Sequence, residues 1–157
     1  MLGKTYDGQH CSIARSLEIV GERWSLLILR EAQLSGITRF SDFQHNLGIA
    51  TNVLSSRLEG FIAAGLMERD GRGDYQVTEK GRELVPVLMA FNEWGNRWCA
   101  PDGPPIVFTH VGCGEPLAVR ADCAEHADVP WAEVGVEPGP GMPREYLASR
   151  RKRRPPE

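Results

Sequence analysis

The fold class this sequence predicts is mainly α with a β wing, the winged helix-turn-helix, plus a small C-terminal three-stranded β extension. Three observations predict it. Residues 41–47 form a short helical run that stops at Gly48, and Thr51 opens a second run with Leu54, Leu58, Phe61 and Ile62 on one face. Gly65 ends that run, and a hairpin follows at residues 66–69 and 75–77 around a glycine-rich tip. Beyond Pro101 the chain turns into short β-prone runs separated by Gly and Pro. Two helices joined by a tight turn can set the second helix in a DNA major groove, with the hairpin as a wing on the backbone or minor groove.

The remaining elements follow in order. Residues 1–10 are polar and read as a loose arm. Ile13, Leu17 and Val20 are at helical spacing in residues 12–20, and Gly21 ends that helix. Residues 22–34 predict a helix apolar on most sides, buried at a domain centre or a dimer contact. Gly36 breaks it, and residues 37–40 can add a strand to the wing sheet. Thr78 is a good N-cap for a long helix over residues 79–99, striped by Leu84, Val87, Leu88, Phe91, Trp94 and Trp98 and kinked at Pro86. Runs at 106–110, 117–120 and 132–136 predict the three strands of the extension. The expected organisation is an arm at 1–10, a DNA-binding and dimerisation domain at 11–100, the extension at 101–143 and a basic disordered tail at 144–157.

A chain of 157 residues with 41% hydrophobic and 25% charged residues suits one globular domain with a small appendage. No apolar run is long enough to span a membrane and no signal-type segment opens the sequence, so the expected location is cytoplasmic. Four cysteines there read as thiols, metal ligands or redox switches before disulfides. The net charge of −3 does not advertise nucleic-acid binding. Residues 1–100 carry 11 basic against 12 acidic side chains, residues 101–149 carry 2 against 8, and residues 150–154 are all basic. A DNA-binding face must then be built locally, from a few arginines and helix dipoles. The basic run is either a solubilising end or a means of steering toward DNA.

Four constellations carry chemistry. With the apolar face of the helix from Thr51 turned inward, Asn52 and Ser56 lie opposite, flanked by Ser55 and Arg57. Asn can bond adenine bidentately, and Arg can bond guanine or phosphate. The plain alternative is a solvated face. At the wing, Arg69, Arg72 and Tyr75 surround Gly71 and Gly73, while Asp70 and Asp74 oppose phosphate. The alternative is a surface hairpin of balanced charge. Cys11 stands at a helix start beside His10 and Arg15, where a thiol pKa falls, so it reads as a sensing thiol or as a small buried residue. His110, Cys113, Cys123 and His126 have the spacing of two ligand pairs for structural zinc, with Glu115, Asp122 and Glu125 nearby. The alternative is a metal-free ribbon. No cofactor is required otherwise. Trp24, Trp94, Trp98 and Trp131 suit core, dimer contact or an effector pocket. No phosphate loop or nucleophile elbow is present, which argues against an enzyme.

These residues resemble a known family. Cys11, Ala14 and Leu17, then GERWSLLILRE at 21–31, are similar to the opening of the HxlR-type regulators, winged helix-turn-helix proteins related to MarR-like regulators. The blocks Phe40-Ser41-Asp42-Phe43, Leu54-Ser55-x-Arg57-Leu58, Ala64-Gly65-Leu66-x-x-Arg69, Tyr75-x-x-Thr78-x-x-Gly81 and Leu84-x-Pro86-Val87-Leu88 before Trp94 follow in order. The resemblance covers residues 11–98 and implies a cytoplasmic, homodimeric transcription factor that binds a double-stranded DNA operator. It also implies a response to electrophiles, oxidants or small molecules, in several members through the N-terminal cysteine. The extension resembles one in some members where a His-x-x-Cys pair precedes a Cys-x-x-Cys pair; here His126 replaces the last cysteine. A reading from another class is a zinc-ribbon interaction protein whose helical part only dimerises.

Overall fold

The computed structural model describes residues 5–149. The basic run at 150–154 and residues 1–4 of the arm lie outside the described residues. The chain divides into two compact units. Ile19–Arg120 form the larger; among the described residues, 5–18 and 121–149 form the smaller.

The larger unit is mainly helical with one two-stranded antiparallel sheet, as a winged helix-turn-helix requires. Its elements are α2 (Ser25–Leu34), α3 (Phe40–Leu47), α4 (Thr51–Ala63), β1 (Met67–Arg69), β2 (Tyr75–Val77), α5 (Glu79–Arg82) and α6 (Val85–Trp98). α1 (Ser12–Val20) straddles the boundary between the units. Ile28 and Leu29 of α2, Phe43 of α3 and Leu54, Leu58 and Phe61 of α4 make the centre of the core. The α4 residues recur at i, i+4 and i+7, so one stripe of that helix is buried along its length. Met67 and Tyr75 of the wing pack on the same cluster, and the Phe43 and Tyr75 rings meet edge to face at 6.4 Å.

Three expected elements take another form. Residues 37–40 make no strand. Thr38 offers only its carbonyl, which accepts from the Tyr75 amide at 2.8 Å, before Phe40 enters α3. The helix expected over residues 79–99 is two helices rather than one kinked helix. Pro86 has no N–H for the Arg82 carbonyl and its ring would crowd it, so α5 ends at Arg82. Pro86 sits in the first turn of α6, where the missing donor costs nothing. The three-stranded extension is absent among the described residues. Thr109 and Pro116 form an isolated bridge, and Trp131–Glu133 is a 3-10 turn where the third strand was expected. Short runs rich in Gly and Pro supply too few consecutive backbone donors for a ladder.

Residues 104–119 instead form a strap along α6. Asn92 and Asn96 donate to the Ile106 carbonyl at 3.1 and 2.8 Å, and the Glu93 carboxylate accepts from the Val119 amide at 2.9 Å. α6 thus buries Leu88, holds the strap with its asparagines and leaves Phe91, Trp94 and Trp98 more than half exposed.

In the smaller unit the arm at residues 5–10 is held rather than loose. Arg15 donates to the Tyr6 and Gln9 carbonyls, and Glu18 accepts from the Tyr6 amide. α7 (Arg144–Ser149) opens the segment expected to be disordered, and its Tyr146 hydroxyl bonds the Gln9 side chain at 3.0 Å. Residues 121–129 close a loop through the Val129 amide and the Ala121 carbonyl at 2.7 Å.

Two contacts fix the helical unit. The wing joins α5 through Thr78, whose hydroxyl accepts from the Gly81 amide at 3.2 Å and donates to the Gly65 carbonyl at 2.7 Å. A Cβ on Gly81 would run into the Leu66 carbonyl and the Val77 side chain. Gly81→Val should cost about 1–3 kcal/mol by overpacking, read as a lowered midpoint in chemical denaturation. An unchanged midpoint would show that this approach is soft. The second contact is Glu31 of α2, 7% exposed, which accepts from Arg30 at 2.6 Å and from Asn46 of α3 at 3.1 Å. Burial pushes its pKa up, but Arg30, Asn46 and Ser35 outweigh burial and hold it below the usual glutamate value. A depressed native pKa stabilises the fold above the ordinary carboxylate range, and that contribution fades as pH falls through the native value. Glu31→Ala should cost about 1–3 kcal/mol at neutral pH. The gap to the wild type should narrow in acid, as measured by denaturation at both pH values.

Candidate nucleic-acid interface

The α3–α4 turn rests on Gly48, whose φ of 60° and ψ of 26° lie in the left-handed region. The N-cap position of α4 is Ala50, and it supplies no capping side chain. Thr51 is the first helical residue, and its hydroxyl accepts from the Gln44 carboxamide of α3 at 2.7 Å. That bond ties the two helices together at the solvent edge. It also leaves the leading α4 amides without a side-chain acceptor, the arrangement that favours an anion at a helix start.

Along α4, Thr51, Asn52 and Ser56 are exposed opposite the buried stripe. Ser55 is half-buried, and its hydroxyl donates to Glu59 one turn on at 3.3 Å. Arg57 is also half-buried, and its guanidinium lies 3.9 Å from the Glu22 carboxylate. The outward face therefore presents Asn52 and Ser56 most openly, while Arg57 leans back toward the protein.

The wing differs in detail from its sequence pattern. Tyr75 is not part of the exposed tip; it is 4% exposed and belongs to the core. Arg69 donates to the Tyr75 hydroxyl at 2.6 Å and lies 4.7 Å from the ring centroid, so it braces the base of the hairpin. Arg72 remains at the exposed tip. Asp70 does not simply oppose phosphate. Its carboxylate accepts from the Arg72 and Asp74 amides at 2.9 and 3.0 Å and from the Gln76 side chain at 3.3 Å. The Arg72 amide is the first cause holding its pKa below the usual value, ahead of the opposing desolvation, with Asp74, Gln76 and the Arg72 charge adding to it. Gly73, at φ 87°, completes the turn. Asp74 lies 3.9 Å from Arg39 at the start of α3.

Gln44 and Glu31 were not singled out by sequence reasoning, and Asp70 was read only as a charge opposing phosphate, not as the residue that orders the turn. Asp70 had a signal, because an Asp followed by Gly-x-Gly is an Asx-turn pattern. Gln44 and Glu31 had none, because their partners lie 7 and 15 residues away.

Cys11 is half-buried immediately before α1. His10 and Arg15 stand with it along an open cavity of about 750 Å3 that Val136 and Met142 also line. The Arg15 guanidinium bonds Glu18 and the arm carbonyls. Of the four expected zinc ligands, His110 and Cys113 fall in the larger unit, Cys123 and His126 in the smaller. His110 Nδ1 is 3.2 Å from Cys113 Sγ, and Cys123 Sγ is 3.4 Å from His126 Nδ1. Ordinary zinc bond lengths at a tetrahedral angle put a nitrogen and a sulfur roughly 3.5 Å apart, so each pair fits half of such a site. Among the described residues no group of three or more His, Cys, Asp or Glu gathers as a metal cluster. No helix of the described residues is long and apolar enough to cross a membrane.

Known proteins share this architecture. The HxlR-like helix-turn-helix family model matches residues 19–103. Rv3095 of Mycobacterium tuberculosis, an uncharacterised HTH-type transcriptional regulator, is 39% identical over 94% of this chain and 97% of its own. PA1374 of Pseudomonas aeruginosa, a candidate transcription factor, is 41% identical with a TM-score of 0.63 over 88% of this chain and 99% of that one. Quinone-bound YodB of Bacillus subtilis is 26% identical with a TM-score of 0.50 over 56% of this chain and 99% of its own. The matched span runs from the end of α1 through the turn, α4, the wing and α6, and the chain belongs to the HxlR-like helix-turn-helix family.

Proposed function

We propose that this protein is a sequence-specific DNA-binding regulator of transcription that acts as a homodimer in the cytoplasm, without enzymatic activity, and answers an electrophile, oxidant or small-molecule signal. The observation that carries this reading is the face of α4. Leu54, Leu58 and Phe61 lock one side into the core, so Asn52 and Ser56 are held outward as rigid hydrogen-bonding groups. A helix fixed in this way, beside a wing with Arg72 at its tip, suits major-groove reading with a second contact on the backbone. Thr51 and Ser55 flank the reading face, Arg69 braces the wing, and Arg57 joins the contact by leaving Glu22 for a guanine or phosphate. The dimer reading rests on the bare Phe91, Trp94 and Trp98 of α6 and on Ile13 of α1, which is 71% exposed.

DNA fragments retained from the protein's own genome would supply the operator. Asn52→Ala and Arg57→Ala should each weaken operator binding by about 1–3 kcal/mol. Arg72→Ala should cost less and act alike on all sequences, because its contact is to backbone or groove shape. Unchanged operator affinity in both α4 variants overturns the role of this helix, and a monomer in sedimentation at micromolar concentration overturns the dimer.

Cys11 is the sensing thiol in this reading. It stands at the start of α1 beside an open cavity, and a family neighbour, YodB, is a quinone-bound protein. Alkylation there would add bulk at a helix we place in the dimer contact. Cys11→Ser should then bind operator yet ignore quinones, aldehydes and peroxide. A normal response in that variant removes the thiol from the mechanism.

We further propose one structural zinc per chain on His110, Cys113, Cys123 and His126. The support is the geometry within each pair, together with a set of two thiolates and two imidazoles that suits zinc over hard cations. Elemental analysis of protein purified without chelator should find it. Less than about a tenth of a zinc per chain would withdraw the metal.

A further inference from the structure

The larger unit holds an open cavity of about 520 Å3 between α2 and α6. That size suits a small organic molecule. Leu26, Leu27 and Leu34 of α2, Leu88 and Phe91 of α6 and Phe108 of the strap form its apolar walls. The strap is held on this side by the two asparagine bonds to Ile106.

The charge around the cavity has one sign. Its charged lining residues are Arg23 and Arg30, and no carboxylate lines it among the described residues. Arg30 is engaged by Glu31. The Arg23 guanidinium lies 5.3 Å from the Trp24 ring centroid and has no carboxylate partner among the described residues. Arg23 also stands just before α2, where the positive end of the helix dipole adds to its charge.

A second copy of the chain is a poor match for this end of the cavity. The helices with bare apolar faces are α1 and α6, and each carries one carboxylate. Glu18 is bonded by Arg15 and the Tyr6 amide, and Glu93 by the Val119 amide. Neither helix offers an unengaged anion to Arg23.

We propose that this cavity binds a small amphipathic anion, a carboxylate whose hydrocarbon body lies among Leu26, Leu27, Leu88 and Phe91 and whose head group meets Arg23. A neutral molecule of the same shape gains only the apolar burial, and a cation meets like charge. The cavity separates α2, which holds α3 through Glu31 and Asn46, from α6 with its bare tryptophans. A ligand there adjusts the spacing between the helix-turn-helix and α6. The inference rests on the small-molecule arm of the reading above and names the ligand class.

Calorimetric titration of the full chain without DNA tests it, with octanoate as the probe and 1-octanol and octylamine as matched controls. Octanoate should bind one per chain, and both controls should bind at least about ten-fold more weakly. Arg23→Gln, a change at an exposed side chain, should bring octanoate down to the level of octanol. Gly95 lines the cavity, and a side chain there meets open space, so Gly95→Leu should fill the site and abolish binding with helical content unchanged. Octanoate binding no tighter than octanol, or as tight to Gly95→Leu as to the wild type, overturns the proposal. So does failure of octanoate to bind together with loss of self-association in Gly95→Leu, which gives the groove to a second copy. Because the titration contains no DNA, its result stands apart from operator recognition. Octanoate bound with unaltered operator affinity keeps the site and removes its effector role.

Discussion

Burial of one stripe of α4 is the constraint on which the rest of this structure depends. Leu54, Leu58 and Phe61 sit against Ile28, Leu29 and Phe43, all but inaccessible to solvent. Side chains of this size each gain roughly 1.5–3 kcal/mol on full burial, so the rotation of α4 about its axis is strongly determined. Turning it by half a turn would put Asn52 and Ser56 against the core and bring Leu54 to water. The outward face is therefore a by-product of packing, and its rigidity suits the recognition proposed for it.

Carboxylates do much of the local building. The acidic excess looks at first like a handicap for a protein proposed to meet a polyanion. Glu31 and Asp70, however, are turned inward on Arg30, Asn46 and the wing amides. Such groups order the scaffold and leave the tip to Arg72. A modest positive face can be built this way within a chain of negative net charge, because fields at the surface are local at physiological salt.

α6 divides its surface among three tasks. Leu88 closes the core, Asn92, Glu93 and Asn96 hold the strap, and Phe91, Trp94 and Trp98 stay bare. A periodic stripe in sequence does not separate these tasks. The strap matters because it turns a groove between α2 and α6 into a cavity with a wall, and because it carries His110 and Cys113. Both features belong to the part of the chain where regular secondary structure is scarce.

Helices α1 to α4, the turn at Gly48, the wing and the inward stripe of α4 were legible in the sequence, since each depends on local periodicity or on glycine conformation. The family blocks were legible for the same reason: they mark core and turn positions. Tertiary structure decided what depends on distant partners. Pro86 could have kinked one helix or started a new one, and in the fold α5 ends at Arg82 and Pro86 falls in the first turn of α6. Tyr75 reads as a wing-tip residue until Phe43 is placed beside it. The runs at 106–110 and 117–120 read as strands by propensity, but hydrogen bonds with Asn92, Asn96 and Glu93 hold them in a strap. Periodicity reports which side of an element is apolar, and it cannot report which neighbour, 14 or 26 residues away, will satisfy a backbone group.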